Sequence, residues 1–143
     1  MPTVRPAKYP LKCVLDASVA VKWFSQEEGT SRAEEFLSRA FAGSMEIYAP
    51  DLLVYEIANA LFKGKRLDQE KISAALEMVY NSPLQLFPPD KLMVIAGVRF
   101  MFKYNLTFYD ASYAALAHVL QVPLVSANVK DHKKIAEIEI LEF

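Results

Sequence analysis

Cysteine is almost missing from this 143-residue chain: Cys13 stands alone, so no internal disulfide can form and a disulfide-stapled secreted scaffold is excluded. Set in an apolar run, Cys13 reads as a buried core thiol rather than a nucleophile. Histidine is scarce too. His118 and His132 lie far apart with no cysteine beside them, so zinc-site spacing does not occur. With 4 glycines, the chain contains neither a dinucleotide fingerprint nor a phosphate loop, and no serine nucleophile elbow is present. Long apolar runs are missing as well, since charge interrupts each block far short of the roughly 20 residues a membrane helix needs. Met1–Pro10 carries charge and three prolines but no apolar signal core. These absences predict a cytoplasmic chain, neither exported nor membrane-embedded. An excess of one charge is also lacking: 16 basic and 17 acidic residues give a net charge of −1, so any nucleic-acid contact must use local basic clusters.

What is present suffices for a core. The composition is 53% hydrophobic and 23% charged, and the length suits one domain over residues 1–143, with 1–10 as a flexible tail. Apolar spacing predicts strands at Lys12–Leu15, Glu46–Ala49, Leu84–Phe87, Pro123–Val125 and Glu139–Leu141. Helices are predicted over Ala17–Phe24, Glu27–Phe41, from Pro50 and Asp51 through Phe62, from an Asp68 cap to Tyr80, over Asp90–Tyr104 and Asp110–Leu120, and briefly over Val129–Ile135. In the helix ending at Tyr104, Leu92, Ile95, Ala96, Val98 and Phe102 are the expected core residues. Short strands alternating with longer helices imply parallel pairing through crossovers, hence an α/β fold: a three-layer α/β/α sandwich around a short, mostly parallel sheet.

Acids then stand where a core would place apolar groups. Asp16 directly follows Cys-Val-Leu at the carboxyl end of the first strand, the edge where open α/β sheets bind ligands; capping the next helix would also explain it. Glu56 falls inside the apolar stripe formed by Leu52, Leu53, Ile57 and Ala60. A carboxylate there needs a cation, a proton or a metal, and the plain alternatives are a buried ion pair or a Glu snorkelling at the stripe's edge. Asp110 opens a helix facing inward through Tyr113, Leu116, Ala117 and Leu120, and capping alone would account for it. Together the three suit Mg²⁺ or Mn²⁺, which prefer hard oxygen donors.

At these residues the chain resembles the PIN-domain family, in particular the VapC-like toxins of prokaryotic toxin–antitoxin pairs. Val14-Leu15-Asp16-Ala17-Ser18-Val19 is similar to that family's first motif. Pro50-Asp51-Leu52-Leu53-Val54-Tyr55-Glu56-Ile57-Ala58-Asn59-Ala60-Leu61 resembles the second, and Leu106-Thr107-Phe108-Tyr109-Asp110-Ala111-Ser112-Tyr113-Ala114-Ala115-Leu116-Ala117 the third. Pro123-Leu124-Val125-Ser126-Ala127-Asn128 looks like the final strand and its turn. The motifs run in order from Lys12 onward, and the ordered set is more specific than any one of them.

The resemblance implies a ribonuclease that hydrolyses RNA phosphodiester bonds with Mg²⁺ or Mn²⁺. Asp16, Glu56 and Asp110 would hold the ion, with Asn128 or Asp131 at the fourth position and Ser18 and Ser126 orienting carboxylates or water. The family commonly has an acid at the position of Asn128, so the site loses one negative charge, and Asn128 equally suits a helix cap. Lys130, Lys133 and Lys134 follow that motif closely and are the residues placed to contact phosphates; Lys63, Lys65 and Arg66 form a second basic group, and either group could be plain solvated surface. Lys22 and Trp23 lie near the first motif, Trp23 reading rather as core or interface. A cognate antitoxin and a homodimer are the implied partners. Two readings compete: a PIN-like RNA- or protein-binding module impaired through Asn128, and a metal-dependent phosphohydrolase acting on DNA or small substrates.

Overall fold

The computed structural model describes residues 9–128, 130 and 135–143. Nearly all of the expected tail over 1–10, and most of the short helix expected over Val129–Ile135, lie outside the described residues.

Strand β1 (Lys12–Leu15) is followed by α1 (Ala17–Ala20), a 3₁₀ turn over Val21–Phe24 and α2 (Thr30–Phe41). Then come β2 (Glu46–Pro50), α3 (Leu52–Asn59), a π-helical turn over Ala60–Gly64 and α4 (Gln69–Asn81). β3 (Gln85–Phe87), α5 (Lys91–Tyr104), α6 (Phe108–Leu120), β4 (Leu124–Ser126) and β5 (Ile140–Glu142) complete the described chain. The sheet has 5 strands in the order β3-β2-β1-β4-β5, and every pairing is parallel. Val14 sits in register with Tyr48 on one side and Leu124 on the other, so β1 is the central strand. Its sequence Cys-Val-Leu is fully buried, as a parallel strand covered on both faces requires.

The strand order grows outward from β1 in two directions. Right-handed crossovers therefore place α1 to α4 on one face and α5 and α6 on the other, giving the three-layer sandwich. Local chemistry agrees with the elements. Asp68 and Asp90 each accept a bond from a backbone N–H three residues on, at 2.9 Å, and so cap α4 and α5. Asn105 ends α5 in the left-handed region at φ 54°.

Three expectations need correction. Pro50 does not open α3; it is the last residue of β2, and the helix begins at Leu52. α2 starts at Thr30 rather than Glu27, because Gly29 turns the chain through φ 89° just before it. The buried face of α5 consists of Met93, Ala96, Gly97 and Phe100, whereas Leu92, Ile95, Val98 and Phe102 are exposed. The α5 sequence is apolar nearly all round, so periodicity could not select a face. Close packing against α6 selects it: the Cβ that Gly97 lacks would lie 2.8 Å from the Phe108 ring.

That contact sets the spacing of α5 and α6 and the start of the helix that carries Asp110. Gly97→Leu is expected to overpack the joint and lower stability by about 1–3 kcal/mol, measured by chemical denaturation. An unchanged denaturation midpoint would show that the joint is slack.

Candidate metal centre

Parallel strands present their carboxyl ends along one edge, and between β1 and β4 the direction of winding reverses, which opens the crevice where such sheets bind ligands. Asp16 is the first residue past β1, and its backbone N–H donates to Val125 O at 3.0 Å, which ties it to β4. It stands at the N-cap position of α1 but makes no side-chain cap bond. Its Oδ2 instead accepts hydrogen bonds from Ser18 Oγ at 2.9 Å and Ser126 Oγ at 2.8 Å. The capping explanation for this acid therefore fails.

The two hydroxyls are themselves oriented. Ala127 N–H donates to Ser18 Oγ at 3.0 Å, and Asn128 N–H donates to Ser126 Oγ at 2.9 Å. With backbone donors occupying the serine oxygens, each hydroxyl proton is left to point at the acid. Ser126 is 0% exposed, so its polarity has to be satisfied within this network. The turn after β4 is thereby fastened to the acid after β1.

Glu56 lies half-buried on α3, and its Oε1 accepts a hydrogen bond from the Tyr113 hydroxyl. Among the described residues no cation pairs with it. Burial raises the Glu56 carboxyl above its ordinary range, the charges of Asp16 and Asp110 raise it further, and the Tyr113 bond opposes the rise. Tyr113 is pushed up by burial, then by Glu56, and then by Asp16 and Asp110. Both groups thus feel the charges of Asp16 and Asp110. Asp110 is not the cap of α6. That role belongs to Thr107, whose Oγ1 accepts from Asp110 N–H at 3.2 Å, leaving Asp110 half-buried in the first turn.

The donor set is hard oxygen throughout, which fits Mg²⁺ or Mn²⁺ and not zinc. Among the described residues, no three His, Cys, Asp or Glu side chains come close enough to enclose an ion by themselves.

The remaining candidates divide. Asn128 is exposed beside Ser126, and Lys130 is exposed two residues on, whereas Asp131, Lys133 and Lys134 lie outside the described residues. Lys65 is engaged elsewhere: it pairs with Glu27 at 2.8 Å, as does Lys22 at 3.2 Å. Bonds from Lys65, Ser25 and Lys22 hold the Glu27 carboxyl down at about 2. Trp23 is core, its Nε1 donating to Ala33 O at 2.7 Å. Burial pushes the Cys13 thiol up to about 12, so it is no nucleophile at neutral pH. Sequence reasoning missed the hydroxyl of Tyr113. In the sequence it is an inward-facing ring and a residue of the third motif, and its partner is 57 positions away in the chain.

Comparison with known proteins adds five findings. The family model described as PIN domain matches residues 13–138. Ribonuclease VapC3 from Pyrobaculum aerophilum is 33% identical over 82% of this chain and 90% of its own length. Ribonuclease VapC1 from Mycobacterium tuberculosis is 28% identical over 82% of this chain and 86% of its own. Among solved structures, VapBC2 from Rickettsia felis bound to a promoter DNA fragment aligns with a TM-score of 0.72 at 14% identity, over 92% of this chain and 98% of that one. A toxin–antitoxin complex from Klebsiella pneumoniae aligns at 0.69 and 16%, over 92% and 99%. At such identities these likenesses establish the fold.

The raised Glu56 carboxyl has a consequence for stability. A group that holds its proton more tightly when folded contributes stability below its unfolded pKa and loses it as pH rises through the folded value. In chelator-treated protein, Glu56→Gln is therefore expected to raise the thermal midpoint at pH 7, with the gain shrinking toward pH 4. A gain independent of pH would refute the electrostatic origin of the shift.

Proposed function

The chain belongs to the PIN-domain family, and from that footing we propose that it is a divalent-metal-dependent ribonuclease acting as the toxin of a toxin–antitoxin pair. The observation that carries this reading is the clamp on Asp16: two oriented serines bind one carboxylate oxygen at the sheet's switch point, with Glu56 and Asp110 acting on the same region.

In this reading Asp16, Glu56 and Asp110 hold Mg²⁺ or Mn²⁺, and Asn128 stands where a fourth acid would add charge. A bound divalent ion supplies Lewis acidity toward a phosphodiester oxygen and a more acidic water as nucleophile. The chain's own residues supply placement. Ser18 and Ser126 fix Asp16 by hydrogen bonds, as groups behind a metal ligand commonly do. Lys130 and, by its nearness in sequence, the pair Lys133 and Lys134 attract the RNA backbone and offset its repulsion from the acids. Lys65 and Lys22 are not assigned to RNA, being committed to Glu27.

The relatives' names support RNA as substrate and an antitoxin as partner. A homodimer is supported by apolar residues on the outward side of α5, where Leu92 is 70% and Phe102 is 85% exposed. Among the described residues no helix is long and apolar enough to cross a membrane, and a lone buried thiol suits the reducing cytoplasm to which we assign the chain.

Asp16→Asn and Asp110→Asn keep side-chain shape and remove an anionic oxygen. Each is expected to reduce Mn²⁺-dependent cleavage of single-stranded RNA by more than about a hundredfold, since losing even a group behind a metal ligand costs 10–100-fold. Circular dichroism should be unchanged. Variants that cut RNA as fast as the parent would place the activity elsewhere.

A further inference from the structure

Tyr113 is 1% exposed, and its hydroxyl meets Glu56 at one edge of the acid cluster. A phenol does there what other residue types cannot. A Lys or Arg would neutralise Glu56 and compete with a divalent cation for it. A Phe would leave a half-buried carboxylate without that donor. The phenol engages one carboxylate oxygen and adds no charge. It also links α3 to α6, the two helices that carry Glu56 and Asp110, through a single bond between distant parts of the chain.

From this geometry we infer that Tyr113 is a positioning residue, fixing Glu56 by Oε1 so that Oε2 is the oxygen offered to the divalent ion. The inference rests on the metal-dependent reading above and extends it to a residue outside the carboxylate set. Tyr113 itself touches neither ion nor substrate; it acts through Glu56. Its counterpart is the serine pair on Asp16, where donors likewise converge on one oxygen of an acid. Neutral hydroxyls thus orient two of the three acids, and each comes from a different element than the acid it holds, Ser18 excepted.

The test is calorimetric titration of Mn²⁺ into chelator-treated full-length protein. Tyr113→Phe deletes one oxygen and keeps the ring that packs α6. Its Mn²⁺ affinity is expected to fall about tenfold, in the range usual for loss of a group behind a ligand, while circular dichroism stays as in the parent. Tyr109→Phe, an exposed tyrosine beside Asp110, is expected to leave the affinity unchanged. In a Glu56→Gln background, Tyr113→Phe is expected to cause no further loss, because the group it orients no longer carries the charge. Parent-like Mn²⁺ affinity in Tyr113→Phe would overturn the inference, and so would an undiminished further loss in the Glu56→Gln background, which would show Tyr113 acting on the fold and not through Glu56. A parent chain that bound no Mn²⁺ would overturn the metal-dependent reading itself, which keeps the two failures distinct.

Discussion

Three carboxylates sharing one region repel one another, and the rest of this structure is arranged so that they can stay there. Repulsion and burial act in the same direction on Glu56, whose carboxyl is raised by both. Among the described residues, no lysine or arginine pairs with Glu56. Hydroxyl groups do the holding: Ser18 and Ser126 on Asp16, Tyr113 on Glu56. Neutral donors stabilise the ionised form while leaving the negative field in place, and a field of that kind is what a hard divalent cation needs. Lys22 and Lys65 both pair with Glu27.

The sheet makes this convergence possible. Asp16 ends the central strand, and Ser126 ends its neighbour across the switch point, so residues 110 positions apart meet through one pair of parallel strands. The other two acids arrive on helices from opposite layers: α3 brings Glu56 from one face and α6 brings Asp110 from the other. The Tyr113–Glu56 bond joins α6 to α3. Gly97 belongs to the same scheme, since its missing side chain lets α5 approach Phe108 at the start of the helix carrying Asp110. Glu137 is held by Arg99 at 2.7 Å and Lys103 at 3.1 Å, which anchors the chain to α5 before it enters β5.

Much of this was legible in the sequence. Strands that are buried on both faces read as short apolar runs, and Asp68, Asp90 and Asn105 mark helix ends by local chemistry that needs no tertiary context. The acids stood out because an Asp after Cys-Val-Leu and a Glu inside an apolar stripe are expensive unless something answers them. What sequence could not show was the answer itself. Serine and tyrosine hydroxyls are common, and nothing local says that Ser126 reaches Asp16 or that Tyr113 reaches Glu56. The buried face of α5 was misjudged for a related reason. When a helix is apolar nearly all round, its orientation is decided by which side packs closest to its neighbour, and that depends on Gly97 and Phe108 together.

The central claim is that Asp16, Glu56 and Asp110 surround a divalent cation at the carboxyl end of β1. Anomalous diffraction from crystals of the protein soaked in Mn²⁺ tests it most directly. A strong peak is expected among Asp16, Glu56 and Asp110, with water completing the shell. A peak elsewhere, such as at the acidic segment of Glu137 and Glu139, or none at saturating Mn²⁺, would contradict it.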